Sequence, residues 1–281
     1  LCGLLISGSM ELGFFYVLFA CRSIGSAFHA PALQASIPLL VPASELSRIA
    51  GINQSIQSTC GIIAPVIGAA LISFWNIEYI LLLDVFGAII AASSLLFIII
   101  PSPQKAKKAE LIEEIKECFI AIRSENGLPT LFGCFTLVTF ITMPVAVLVP
   151  FITSSHFGGS SLPIGLVEML WGIGALGGGF IVASKRLKIN DVILINCTYI
   201  LLGLYLIVSG FLPVSGFIIF AGLTIIGGIA YTIYNALFVA IIQRNINPDV
   251  LGRVFSVFFS LTLLPSMIGI TTSGFLAETI G

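Results

Sequence analysis

The stretch VSGFIIFAGLTIIGGIAYTIYNALFVAII, residues 214–242, contains no charged residue. About 20 apolar residues in a helix are enough to cross the hydrocarbon core of a bilayer. The run is continuously apolar rather than alternating, so it predicts a membrane-spanning helix and not a strand of a membrane barrel. Seven further runs meet the same test, near 13–37, 49–73, 77–100, 128–153, 162–184, 191–209 and 254–277. Residues 1–8 read as the tail of an earlier span. Of the 281 residues, 58% are apolar and 9% are charged, whereas a soluble domain carries about 25% charged residues. A chain this apolar has no polar coat to present to water. Its net charge of −1 offers no basic field for nucleic acid.

The positions of Lys and Arg test the span count. Taking alternate gaps between spans, one set holds Arg48, then Lys105, Lys107, Lys108, Lys116 and Arg123, then Lys185, Arg186 and Lys188, then Arg244 and Arg253. That is eleven of the twelve basic residues; the opposite gaps hold none and carry Glu11, Glu78 and Glu278 instead. By the positive-inside rule the basic set faces the cytoplasm. A wrong count would scramble this separation. The remaining basic residue, Arg22, lies within the first complete span.

The longest polar stretch, 101–127, is therefore cytoplasmic. Leu111, Ile115, Phe119 and Ile122 recur in it at helical spacing between charged residues, which predicts an amphipathic helix at the membrane surface. On either side of it lies a weak internal repeat. PASELSRIAGINQSI (42–56) and NPDVLGRVFSVFFSL (247–261) align Leu46 with Leu251 and Arg48 with Arg253, and each runs straight into a span of the same orientation. Parallel repeats flanking a cytoplasmic loop are one of the ways transporters are built, with the substrate site near the midplane between the halves.

Two motifs carry a resemblance. RSIGSAFHAPAL (22–33) resembles the fourth-helix motif of the major facilitator superfamily, an Arg followed three residues later by Gly, here Arg22 and Gly25. Gly61-Ile-Ile-Ala64-Pro65-Val-Ile-Gly68-Ala69 resembles the fifth-helix motif of its drug–proton antiporters, with Ala64 and Ala69 in place of two glycines. Together with LLVP (39–42), LLLDVFGA (81–88) and LGRVFS (251–256), these are most similar to the macrolide-efflux branch, over nearly the whole chain. The resemblance implies an all-α major facilitator fold, with eight complete transmembrane helices here out of an expected twelve, plus the tail of another. Residues 1–100 would be the C-terminal part of the N-terminal bundle, 101–127 the cytoplasmic linker, and 128–281 the C-terminal bundle lacking its last helix. The chain opens on Leu1 and closes at Gly281 just after an apolar run, and so reads as an internal piece of a longer protein. The implied activity is proton-driven export of a hydrophobic, macrolide-like drug or metabolite across a bacterial plasma membrane. The alternatives are export of a native metabolite such as a siderophore or lipid, and a non-transporting membrane protein. The partners are a small hydrophobic substrate and the bilayer, and the full-length protein is expected to be a monomer.

Ionisable groups inside a membrane are expensive and usually face the bundle interior with a partner or a task. Arg22 keeps its charge at any working pH and can hold an anionic group or stabilise a nearby carboxylate. In the family resembled, the fourth-helix Arg takes part in proton coupling. Asp84 and Glu168 lie about a third of the way into their spans, where a carboxyl that is costly as an anion can take up and release a proton. The competing reading is a helix-packing hydrogen bond for Asp84 and a wet vestibule for Glu168. His29 completes the proton-coupling candidates, although a lone His in a helix is more often a buried hydrogen-bonding residue. Tyr231, Tyr234 and Asn235 on one helix, with Trp171, are the substrate-pocket candidates. Gly25, Gly61, Pro65 and Gly68 are the helix-packing candidates.

Enzymatic readings lack support. There are two His residues, no clustered catalytic set and no phosphate-binding loop. The six scattered Cys have neither zinc nor redox spacing, so no metal and no cofactor is expected and the proton gradient supplies the drive. Gly172-Ile-Gly174-Ala-Leu-Gly177 matches a dinucleotide fingerprint by letter only: no strand precedes it, and close helix packing explains it better.

Overall fold

The computed structural model describes residues 12–97, 111–158, 161–184 and 189–280, and every regular element among them is helical. The helices are α1 (Leu12–Leu40), α2 (Leu46–Phe74), α3 (Ile77–Leu95), α4 (Leu111–Ser124), α5 (Leu128–Ser155), α6 (Ser161–Ala183), α7 (Asp191–Gly210), α8 (Phe217–Asn245) and α9 (Pro248–Ile280). The expected tail at 1–8 and the basic runs at 105–108 and 185–188 fall outside the described residues.

Five of these helices are long and apolar enough to cross a membrane: Leu128–Ser155, Leu162–Ala183, Asp191–Gly210, Val214–Asn245 and Pro248–Thr272. The chain marks their starts with ordinary local chemistry. Gly127 takes φ 85, the left-handed turn that glycine makes at no steric cost, and separates α4 from α5. Asn190 caps α7 by accepting a hydrogen bond from the Val192 amide, with Asp191 in the positive first turn. Pro248 opens α9, where its missing N–H costs nothing.

Helix α8 sits at the centre and packs against α6, α7, α2 and α1. Its uniformly apolar sequence suits helix neighbours and lipid alike, and Ile218 and Ile219 near its start stay exposed. In lipid there is little hydrophobic drive between helices, so close approach through small residues takes over. Gly174 and Gly178 of α6 lie against the α8 backbone at Ile225 and Ile229, and Gly228 of α8 lies against the backbone of Trp171. Gly172 and Gly174 are thus packing glycines, while a Cβ at Gly177 would meet nothing within 4 Å. At the α5–α8–α9 junction, Phe135 lies 4.2 Å from Phe238 and 5.0 Å from Phe258 between ring centroids.

The two ends of the internal repeat are treated alike. Leu46 in the first turn of α2 and Leu251 in the first turn of α9 are both fully buried in the same core cluster. Arg48 pairs with Glu45 at 3.4 Å, and Arg253 pairs with Glu117 at 2.8 Å and Glu114 at 3.5 Å. Through that second pair the amphipathic helix α4 docks on α9, burying Cys118 and Ile122. Burial pushes the Cys118 thiol above its ordinary range, against an opposing pull from the Arg253 guanidinium. Arg253→Gln should loosen this dock. With the other cysteines replaced by serine, maleimide labelling of Cys118 is expected to quicken about tenfold, and an unchanged rate would show that apolar packing alone holds α4.

Candidate functional site: two cavities beside a closed cytoplasmic seam

Helices from the two ends of the chain meet at the side that the charge pattern assigns to the cytoplasm. A Cβ on Gly51 of α2 would stand 2.7 Å from the Gly179 carbonyl oxygen and 3.0 Å from the Val182 Cβ, both on α6. Arg244 of α8 donates to Asp191 of α7 at 3.0 Å and to the Ser47 hydroxyl of α2 at 2.8 Å. The Gln243 side chain, nearly fully buried, donates to the Gln34 carbonyl of α1 at 2.8 Å and to its side-chain oxygen at 3.1 Å. Small-residue contact and polar clamps therefore close this end of α1 and α2 onto α6, α7 and α8.

Away from that seam lie two cavities. The first, about 250 Å³, is enclosed by α5, α6, α7 and α8. Its walls are largely apolar, from Val145, Val149, Val167 and Leu202, with aromatic faces from Trp171, Tyr205 and Tyr231 and hydroxyls from Thr142 and Thr224. Glu168 brings the sole charged side chain to its lining. Trp171 and Tyr231 stand 5.7 Å apart and Trp171 and Tyr205 6.2 Å apart, measured between ring centroids. The second cavity, about 600 Å³ and more open, lies between α1, α5 and α9. Its lining is rich in hydroxyls, from Ser23 and Ser26 of α1, Thr139 of α5, and Ser256, Ser260, Thr262 and Ser266 of α9. Met143 of α5 lines both cavities.

Of the residues singled out in the sequence, Glu168, Trp171 and Tyr231 come together at the first cavity. Tyr234 does not reach that wall. It is fully buried, 5.4 Å from Phe135 and 5.2 Å from Tyr199 between rings. Asn235 bonds its own helix, donating to the Tyr231 carbonyl at 3.1 Å. Arg22, Gly25 and His29 are exposed on α1, and the side chains of Asp84 and Pro65 fall outside the described residues. At Gly25, Gly61 and Gly68, the expected helix-packing glycines, a Cβ would meet nothing within 4 Å among the described residues. Sequence reasoning also passed over Met143 and the seven hydroxyls. Their signal was present as Ser256 and Ser260, one helical turn apart in an otherwise apolar run.

Comparison with known proteins agrees with this architecture. The family model described as Major Facilitator Superfamily matches residues 1–270. The chain belongs to the major facilitator superfamily. It is 35% identical to macrolide efflux protein A of Streptococcus pyogenes over 277 residues, which is 97% of this chain and 68% of that protein. A protein of the same name from Enterococcus faecalis is also 35% identical, over 93% of this chain and 82% of its own length. An uncharacterised transporter of the superfamily from Bacillus subtilis, YfiS, is 26% identical over 96% of this chain and 67% of its own. No solved structure matches. As a major facilitator protein, the chain is a multi-pass secondary transporter of the plasma membrane rather than an enzyme, with bacterial relatives.

Proposed function

We propose that this major facilitator protein exports small hydrophobic compounds of the macrolide type in exchange for protons. The observation that carries the reading is the first cavity: apolar and aromatic walls around one carboxylate, Glu168. Such walls take an apolar cargo without specific partners, and a few placed polar groups fix its orientation. A carboxylate inside the membrane is the kind of group that exchanges a proton as its surroundings alternate between wet and dry. We assign proton coupling to Glu168 and Arg22, with Asp84 and His29 as further candidates. The name shared by two of the relatives supports the choice of cargo.

In this reading the chain supplies eight of twelve transmembrane helices. Residues 1–100 belong to the N-terminal bundle, 101–127 form the linker, 128–281 belong to the C-terminal bundle, and the full-length protein works as a monomer. The closed seam between α2 and α6 then corresponds to the state in which cargo leaves to the outside.

The test is accumulation of radiolabelled erythromycin in cells expressing the full-length protein. Export lowers the intracellular level, and an uncoupler restores it. The same level with and without the uncoupler would overturn proton drive. A level equal to that of cells lacking the protein would turn the reading toward a native metabolite, to be sought with a substrate panel in vesicles.

A further inference from the structure

We propose that the two cavities form one bipartite cargo site joined at Met143, in which Glu168 holds an organic cation and the hydroxyl-lined cleft holds a part of the same molecule rich in hydrogen-bond donors. This rests on the exporter reading above and specifies its substrate class.

The first half of the argument is charge. Among the described residues no Lys, Arg or His lines the cavity of Glu168, so nothing basic on its walls neutralises that carboxylate. Trp171, Tyr205 and Tyr231 surround the same space. Aromatic faces attract cations through the negative face of the ring, most strongly where water is scarce. Glu168 is itself exposed and shares the cavity lining with these three rings. A carboxylate at the open side of an aromatic-lined apolar cavity suits an alkylammonium with a greasy body. It suits a neutral or anionic cargo poorly.

The second half is the direction of the hydroxyl bonds. In the cleft, Ser256 donates to the Gly252 carbonyl at 3.0 Å, Ser260 to the Ser256 carbonyl at 2.9 Å, and Ser266 to the Leu263 carbonyl at 2.7 Å. Thr262 donates likewise to the carbonyls of Phe258 and Phe259, at 3.1 Å and 3.0 Å. A hydroxyl has one proton and two lone pairs. With the proton spent on the helix backbone, each of these α9 hydroxyls is left as an acceptor. The cleft therefore matches a surface that donates, such as the hydroxyls of a sugar or polyol. Arg22 lies one helical turn from Ser26, on the face of α1 that also bears the lining residue Ala30.

The two spaces meet at one flexible side chain. Met143 borders both, and its unbranched thioether adapts to what lies on either side. It precedes Pro144, which cannot donate the usual bond to the Phe140 carbonyl. Gly269 of α9 packs against this weakened turn, where a Cβ would stand 2.8 Å from the Phe140 oxygen and 2.7 Å from the Pro144 ring. The wall between the cavities thus coincides with a weakened turn of α5.

The test is equilibrium binding to the full-length protein in nanodiscs with two radiolabelled probes. Erythromycin carries an amine and many hydroxyls, whereas tetraphenylphosphonium is a lipophilic cation with none. Glu168→Gln is expected to weaken both by about tenfold or more, and Ser256→Ala with Ser260→Ala to weaken erythromycin by about tenfold while leaving tetraphenylphosphonium within about twofold. Size-exclusion profiles of the variants, matched to the unmodified protein, separate lost binding from misfolding. The bipartite site is overturned if the serine pair affects both probes equally or neither, or if Glu168→Gln leaves cation binding unchanged. Absence of binding by the unmodified protein would overturn the exporter reading itself, and the site with it.

Discussion

Gly51→Val is expected to stop export while leaving the protein in the membrane. The new side chain would enter the α2–α6 seam where even a Cβ stands 2.5 Å from the Ala183 amide nitrogen and 2.7 Å from the Gly179 carbonyl oxygen. Both obstacles are backbone, so no rotamer change relieves the clash, and α2 must move off α6. Overpacking of a close contact costs about 1–3 kcal/mol. Here that cost falls only on the conformation in which the seam is shut. A transporter that alternates between two states separated by a few kcal/mol would then spend most of its time with the cytoplasmic side open. Spin labels at Ile52 on α2 and Ile189 just before α7, both exposed, provide the measurement. Their distance distribution is expected to lengthen in the valine variant, and erythromycin accumulation to return toward that of cells without the protein. An unchanged distribution with normal export would show that this seam does not separate during transport. Gly51→Ala should give a smaller change in the same direction.

That seam also shows where reading a sequence stops. Membrane-spanning helices were accessible because lipid imposes them residue by residue: a run is apolar or it is not. Five spans and the amphipathic helix 111–124 stand where those local rules put them. The repeat was readable because Leu46 and Leu251 answer the same local need, a buried anchor at the start of a helix. Contacts between distant segments leave no such mark. Nothing near Gly51 announces Gly179, which lies on another helix far along the chain. At Gly25, Gly61 and Gly68 the motif shows that a residue is small and not which neighbour needs it to be. In the cavity, Glu168 and Trp171 could be placed on one face from their spacing of three. That Tyr231 faces them while Tyr234 turns into the aromatic core depends on the rotation of α8, which its uniformly apolar sequence does not encode.

Arg22→Ala is expected to reduce proton-driven export by about tenfold or more, the scale at which removal of an intramembrane charge with a task is felt. Arg22 lies mid-helix in α1, exposed, one turn from Ser26 and two from Ala30 on the face that borders the hydroxyl-lined cleft. Its guanidinium does not release its proton in the working range, so it acts as a fixed positive charge and not as a carrier. A fixed charge at the edge of a cleft helps a carboxylate elsewhere to give up its proton and repels a cationic cargo from that edge. Two substitutions separate these effects from simple loss of bulk. Arg22→Lys keeps the charge and should retain a substantial part of the export, whereas Arg22→Gln keeps size and polarity without charge and should behave like alanine. Surface labelling confirms that each variant reaches the membrane, and efflux is followed with and without an imposed proton gradient. If Arg22→Gln exports normally under the gradient, coupling does not pass through this residue, and the burden falls on Glu168, Asp84 and His29. If alanine and lysine fail together, geometry at this position matters more than charge, as in a bidentate contact that the compact ammonium of lysine does not reproduce.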